Sequence, residues 1–138
     1  RRVLFRSVKV LLALDDSMGI LDRLYRLIGG VPGLNPIITP IKTKEITSSA
    51  CLLEPDVLVM DLYLLDGTAM DVMEEVRSFK RKPALMILAE QPYEDIESQL
   101  KIAGADYVLN KSLEFELIVK VLSGLSHKLK ENQLASNK

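Results

Sequence analysis

Five short apolar runs alternate with five stretches of helical periodicity along this chain. The runs are VKVLLAL at 8–14, PIITPI at 36–41, DVLVM at 56–60, ALMILA at 84–89 and DYVL at 106–109. Three of them are almost continuously apolar, which is typical of parallel strands that are covered on both faces. Five strand–helix units in succession predict an α/β fold with a parallel sheet and right-handed crossovers.

The helical stretches have recognisable starts and ends. In the first helix one face carries apolar residues, Ser17 is a candidate cap and a glycine pair ends the pattern. That face consists of Ile20, Leu24, Leu27 and Ile28. The other four helices are expected at about 43–53, after Gly67, up to Gly104 and from Ser112 onward.

Length and composition limit the class of protein. At 138 residues, one domain is expected, and 18 basic against 19 acidic residues argue against a nucleic-acid or membrane-surface binder. The single cysteine, Cys51, excludes an internal disulfide and favours the cytoplasm; we interpret it as a small core residue. We assign the domain to 8–130, a polar tail to 131–138 and a foreign extension to RRVLFRS at 1–7.

Charged residues stand where the predicted strands end. Asp15 and Asp16 follow the first strand, Asp61 follows the third, and Lys111 follows the fifth. We expect the flavodoxin-like three-layer (βα)5 sandwich with strand order 2-1-3-4-5, in which the first and third strands are neighbours. The carboxyl ends of parallel strands meet at one edge, so three carboxylates and one ammonium group should converge there.

This set of charges indicates phosphoryl chemistry. Close carboxylates repel one another, and Mg²⁺, which takes oxygen ligands and commonly pairs carboxylates with phosphate, relieves that repulsion. We expect Asp15 and Asp16 to hold the metal, Asp61 to be the nucleophile that becomes an aspartyl phosphate, and Lys111 to neutralise a phosphoryl oxygen.

Three segments carry a resemblance to a known family. LDDS at 14–17, VMDLYLLDGTAMDVM at 59–73 and GADYVLNKS at 104–112 resemble the receiver domain of bacterial two-component response regulators, in the chemotaxis-regulator-like superfamily. The resemblance implies that Asp61 accepts a phosphoryl group from a histidine kinase or phosphotransfer protein with Mg²⁺, and that the Tyr63 carbonyl completes the metal site. It implies no enzyme activity beyond the domain's own phosphoryl transfer and dephosphorylation.

The chain departs from that family at the residues that respond to phosphorylation in receivers. The usual Thr or Ser at the end of strand four is Ala89 or, in another alignment, Leu88. The usual aromatic residue three before the lysine is Val108, with Tyr107 displaced by one position. The usual proline after the lysine is Ser112, so we expect a trans Lys111–Ser112 bond.

Simpler and rival interpretations stay open. Asp15 and Asp16 could cap a helix, and Asp61 and Lys111 could form a plain ion pair. The missing hydroxyl and the displaced aromatic residue favour a pseudo-receiver, which binds another protein without being phosphorylated. An aspartate-nucleophile phosphatase is a further alternative, although Tyr63 stands where such enzymes want a second acid.

The last helix has two apolar rows. Phe115, Val119, Leu122 and Leu125 form the expected core stripe, and Leu113, Leu117 and Val121 form a second row. We expect the second row to pack deeply at the sheet edge, and the alternative is a dimer or partner surface built from strand five and helix five. The residues after this helix are too few for a helix-turn-helix output domain, so we expect a single-domain regulator that signals through protein contacts.

Overall fold

The computed structural model describes residues 7–90 and 94–136. The strands are Val8–Ala13 (β1), Leu34–Ile38 (β2), Val57–Asp61 (β3), Ala84–Ala89 (β4) and Tyr107–Asn110 (β5). The helices are Ile20–Gly29 (α1), Thr43–Leu53 (α2), Ala69–Val76 (α3), Glu94–Ile102 (α4) and Phe115–Ser136 (α5). Strands and helices alternate throughout the described residues, as the sequence predicts.

The five strands form one parallel sheet in the order β2-β1-β3-β4-β5. The predicted flavodoxin-like order is therefore confirmed. The reversal of strand order lies between β1 and β3, which are hydrogen-bonded neighbours, and Ala13 pairs with Met60 in their register. Asp61 at the end of β3 pairs with Leu88 of β4. The predicted functional edge is thus the carboxyl edge of the three central strands.

Helices cover both faces of the sheet, which makes three layers. One apolar core lies under α2, α3 and α4, and the other lies under α1 and α5. Successive strand residues point to opposite faces, so each of the central strands supplies both cores. In β3, for example, Leu58 and Met60 belong to the first core, whereas Val57 and Val59 belong to the second.

Two helix starts differ from the sequence prediction. Ser17 does not cap α1; it lies in a short 3₁₀ turn, and α1 begins at Ile20. The physical reason is the left-handed backbone of Met18 (φ 61°) and Gly19 (φ 69°), which cannot continue a right-handed helix. The last helix begins at Phe115 rather than at Ser112, because a turn comes first.

Other differences concern exposure and strand length. Cys51 is exposed, so its interpretation as a core residue is wrong. Leu27 is 44% exposed although its helix partners Leu24 and Ile28 are buried. The edge strand β2 ends at Ile38 rather than at 41; Ile38 and Leu12 are its last register pair with β1, and Pro40 has no N–H to continue the ladder.

The chain ends are only partly described. Of the proposed foreign extension at 1–7, residues 1–6 lie outside the described residues, and the helix α5 continues to Ser136. Within the described part of the chain, none of the helices has the length and apolarity that crossing a bilayer requires.

Candidate functional site

A small cavity lies at the carboxyl edge of the sheet and contains the predicted site. Its volume is about 170 Å³. The lining residues come from the ends of β1, β3, β4 and β5 and from the loops after them: Asp15, Ser17, Asp61, Leu62, Tyr63, Leu88, Ala89, Glu90 and Lys111. Five of the predicted site positions are therefore brought together from four distant segments: Asp15, Asp61, Tyr63, Ala89 and Lys111.

Asp61 and Lys111 form a buried ion pair at the centre of this cavity. Asp61 is 7% exposed and Lys111 is 4% exposed. The Lys111 Nζ donates to Asp61 Oδ2 at 3.1 Å and to the backbone carbonyl of Asp15 at 3.2 Å. Asp61 Oδ2 also accepts the backbone N–H of Asp15 at 2.7 Å. One oxygen of the Asp61 carboxylate is therefore fully engaged.

The other oxygen of Asp61 is in a different situation. Asp61 Oδ1 lies 3.1 Å from Lys111 Nζ, yet it is buried and accepts no hydrogen bond from residues 7–90 and 94–136. Buried carboxylate oxygens are normally hydrogen-bonded, so an unsatisfied one at a cavity needs an explanation. The Lys111 ammonium group is its charge partner, and its hydrogen-bonding capacity is unused among the described residues.

Burial dominates the acid–base behaviour of Asp61. Removal from water raises the pKa of this carboxyl above its ordinary value of 3.8, while the Asp15 N–H and the Lys111 ammonium group pull it down. The nearby Asp15 carboxylate raises it further. The pKa of Asp61 is therefore raised overall, because burial costs the ionised carboxylate more free energy than these contacts return.

The acidic pair is divided between two tasks. Asp15 lines the cavity, and its Oδ2 accepts the Ser17 hydroxyl at 2.6 Å. Asp16 does not line the cavity; its Oδ1 accepts the Asp22 N–H at 3.3 Å near the start of α1. Asp16 therefore contacts an N–H in the first turn of α1, although the cap residue of that helix is Gly19.

The donor set fits Mg²⁺ in part. Within residues 7–90 and 94–136, no three His, Cys, Asp or Glu side chains are grouped so that they could hold a metal ion. Mg²⁺ often needs only one or two carboxylates and keeps several waters. Asp15 and Asp61, with its unsatisfied Oδ1, meet that requirement. Tyr63 forms an isolated antiparallel β-bridge with Thr68. The Leu64 N–H donates to the Gly67 carbonyl and the Ala69 N–H donates to the Leu62 carbonyl, so the backbone is fixed on both sides of the Tyr63 carbonyl.

The residues that stand where receivers usually have a Thr or Ser and an aromatic residue lie on defined faces of the sheet. Ala89 and Val108 both contribute to the core under α2, α3 and α4, whereas Leu88 and Tyr107 contribute to the opposite core. A shift of one residue along a strand reverses the face, so Tyr107 cannot occupy the environment of Val108. Ala89 is the position that shares a face with Val108, and it offers no hydroxyl to the cavity.

Three residues near the site were missed by the sequence analysis. Ser17 and Glu90 line the cavity, and the buried Asn110 joins the loops after β4 and β5. A polar residue at the end of a predicted strand is the signal that could have identified Glu90 and Asn110. Ser17 was assigned to a helix cap because its contact with Asp15 depends on the 3₁₀ turn.

Asp66 has a structural role in the loop after β3. Its carboxylate accepts the Thr43 N–H at 2.9 Å and the Thr43 hydroxyl at 3.0 Å, which lowers the pKa of Asp66. This contact anchors the loop after β3 to the start of α2. Asp66 is therefore directed away from the phosphoryl chemistry expected of Asp61.

Comparison with known proteins finds relatives by sequence. No protein-family model matches the chain. The protein-glutamate methylesterase/protein-glutamine glutaminase 6 of Anaeromyxobacter dehalogenans (strain 2CP-C) is 27% identical over 103 residues, which are 75% of this chain. The matched part is 29% of that relative, so this chain spans less than a third of its length.

Solved structures are similar over most of the chain. The receiver domain of a Luxo repressor protein from Vibrio parahaemolyticus matches 94% of this chain and 97% of its own, with 16% identity and a TM-score of 0.80. The response regulator domain of Thermotoga maritima CheB matches 89% and 96%, with 20% identity and a TM-score of 0.73. The phosphorylated cyanobacterial phytochrome response regulator RcpA matches 86% and 91%, with 15% identity and a TM-score of 0.67. The chain therefore has the fold of the response regulator receiver domains.

Proposed function

We propose that this chain is a phosphoacceptor of a two-component or phosphorelay system and that Asp61 carries the phosphoryl group. The observation that carries the proposal is the buried Asp61 carboxylate, whose Oδ1 accepts no hydrogen bond from the described residues and which lines a cavity together with Lys111. A plain ion pair between Asp61 and Lys111 would explain their 3.1 Å contacts, but it would not explain why Asp15 and Tyr63 line the same cavity. The receiver-domain fold supports the same function.

The roles of the residues follow from their positions. An oxygen of Asp61 attacks phosphorus in line with the leaving group, a P–O bond forms, and the bond to the donor nitrogen or oxygen breaks. Lys111 stays within reach of the added phosphoryl oxygens and offsets their charge. Mg²⁺, when bound by Asp15, Asp61 and the Tyr63 carbonyl, supplies further charge neutralisation. We propose Asp16 as a further ligand through the carboxylate oxygen that does not accept the Asp22 N–H.

The partners are proposed from the fold and from surface chemistry. We infer a histidine kinase or a phosphotransfer protein as the donor, a bacterial cytoplasm as the compartment, and protein–protein contact as the output. The exposed side chains of Leu113 (86% exposed) and Leu117 (39% exposed) contradict deep packing of these two residues at the sheet edge. They support a partner or homodimer surface on the side of β5 and α5.

A pseudo-receiver is the second candidate, and one observation favours it. Ala89 lines the cavity where a hydroxyl would contact a phosphoryl oxygen, and Tyr107 lies on the opposite face of the sheet from Val108. Phosphorylation could then occur without a conformational response. The phosphatase alternative receives no such support, since the side chain two residues after Asp61 is Tyr63, which is 71% exposed.

Intact-mass measurement separates these functions. The protein is incubated with Mg²⁺ and acetyl phosphate, with Asp61→Asn as the test variant and Asp66→Asn as the matched control in the same loop. We expect one phosphate-sized adduct in the wild type and in Asp66→Asn, none in Asp61→Asn, and none after chelation of Mg²⁺. An unmodified wild type that binds no Mg²⁺ favours the pseudo-receiver, and repeated turnover of phosphate esters favours the phosphatase.

A further inference from the structure

Asn110 is a buried polar residue that bridges two loops at the functional edge. It ends β5 and is 6% exposed. Its Nδ2–H donates to the backbone carbonyl of Glu90, directly after β4. Its Oδ1 accepts the backbone N–H groups of Ser112 at 2.9 Å and of Leu113 at 2.7 Å. A single carboxamide therefore joins the loop after β4 to the loop after β5.

Lys111 lies inside this bridge. The Lys111 N–H donates to the Ala89 carbonyl at 2.8 Å. Before it, Asn110 is paired with β4 in the sheet, and after it, the Ser112 N–H is bound by the Asn110 side chain. The lysine side chain is long and flexible, so a fixed backbone is needed to keep its ammonium group in one place. That place is the Asp61 carboxylate, at 3.1 Å.

The bridge requires an amide at this position. Only a group with an N–H donor and an oxygen acceptor on the same short plane can serve the Glu90 carbonyl and the two loop N–H groups together. An aspartate at position 110 would keep the acceptor but would turn an oxygen toward the Glu90 carbonyl. An alanine would remove both contacts, and the two loops could then move independently.

We propose that Asn110 is a positioning residue for Lys111, and that it controls the rate of phosphoryl transfer to Asp61 through the placement of the Lys111 ammonium group. The second half of this statement rests on the proposed function. Asn110 touches neither Asp61 nor the phosphoryl group; it fixes the backbone from which Lys111 reaches them. Loss of the bridge should therefore affect the reaction only as long as Lys111 is present.

A double-variant experiment tests this dependence. The rate of Asp61 phosphorylation by acetyl phosphate is measured at saturating Mg²⁺ for the wild type, Asn110→Ala, Lys111→Met and the double variant. We expect Asn110→Ala to lower the rate constant by about ten- to a hundredfold in the wild type and by less than about twofold in Lys111→Met. Asn35→Ala, the same change at an exposed position of β2, should leave the rate unchanged.

A second measurement does not depend on phosphorylation. Brief acetylation with acetic anhydride, followed by peptide mass spectrometry, reports the exposure of each lysine, and Lys120 is the exposed internal reference. We expect Lys111 to be modified at least about tenfold faster in Asn110→Ala than in the wild type, with Lys120 unchanged. Circular dichroism checks folding, and Asn110→Asp replaces Asn110→Ala if the latter does not fold.

The two measurements keep the two proposals apart. If the wild type takes no phosphate but Lys111 becomes reactive in Asn110→Ala, the proposed function is wrong and the positioning role stands. If the wild type is phosphorylated and neither the rate nor the Lys111 reactivity changes in Asn110→Ala, the positioning role is overturned. An equal loss of rate in the presence and absence of Lys111 also overturns it, since Asn110 would then act by another route.

Discussion

The start of α3 contains a hydrogen bond that a single methyl group should break. A Cβ added at Gly67 would lie 2.5 Å from Asp71 Oδ2 and 3.2 Å from Thr43 Cγ2. The same Asp71 Oδ2 accepts the N–H of Thr68, the residue before α3, at 2.9 Å. Gly67→Ala therefore pushes the Asp71 carboxylate aside, and the Thr68 N–H loses its acceptor.

The expected magnitude is a balance of two effects. Loss of the capping contact and the tight approach to Thr43 cost about 1–2 kcal/mol, by analogy with other helix caps. Gly67 has no positive φ, so alanine is allowed there and restricts the unfolded chain, which offsets about 0.5 kcal/mol. The free energy of unfolding should fall by about 1 kcal/mol.

The cost of the added methyl group should largely disappear when Asp71 is absent. In Asp71→Ala the capping contact is already lost and only the 3.2 Å approach to Thr43 Cγ2 remains, so Gly67→Ala should change the free energy of unfolding by less than about 0.5 kcal/mol. Urea denaturation of the wild type, both single variants and the double variant measures all four free energies. An equal destabilisation by Gly67→Ala in both backgrounds would refute this explanation.

Three further predictions concern stability in the absence of divalent cations. Leu122→Ala, at a fully buried position of α5, should lower the free energy of unfolding by about 2–5 kcal/mol in urea titrations; a loss below about 1 kcal/mol would contradict its burial. Arg81→Met removes an ion-pair partner of the buried Asp56 and should cost about 1–2 kcal/mol, whereas Arg77→Met, at an exposed position, should cost less than about 0.5 kcal/mol. Burial raises the pKa of Asp61 above 3.8, so folding favours its protonated form. The free energy of unfolding of the wild type, minus that of Asp61→Asn, should therefore fall as the pH rises from about 4 to about 7. A rise of this difference would contradict the direction of the pKa shift.

The parts of the fold that depend on local pattern could be predicted from the sequence. The apolar run before Asp61 identifies β3 because a parallel strand that is covered on both faces needs such a run. The strand order was taken from the flavodoxin-like arrangement, which is one of the two common orders of such sheets. The second helix was predicted at about 43–53 despite its poor helix formers, and it spans Thr43–Leu53. Tertiary burial of Ile46 and Ala50 outweighs local propensity there.

The parts that depend on single contacts could not be predicted. Nothing in the LDDS motif indicates that Asp15 lines the cavity while Asp16 bonds to α1, because that division follows from the left-handed backbone at Met18 and Gly19. The Asn110 bridge joins segments 20 residues apart, and its hydrogen bonds exist only after β4 and β5 have paired. Periodicity identifies elements, whereas such contacts are set by how the elements meet.

The identity of the phosphoacceptor is the most direct test of the proposed function. After incubation with Mg²⁺ and acetyl phosphate, borohydride reduction converts an aspartyl phosphate to homoserine, which peptide mass spectrometry assigns to a position in the chain. Homoserine at position 61 alone is the predicted result. Homoserine at another aspartate, or none although the protein binds Mg²⁺, would contradict the assignment of Asp61 as the phosphoacceptor.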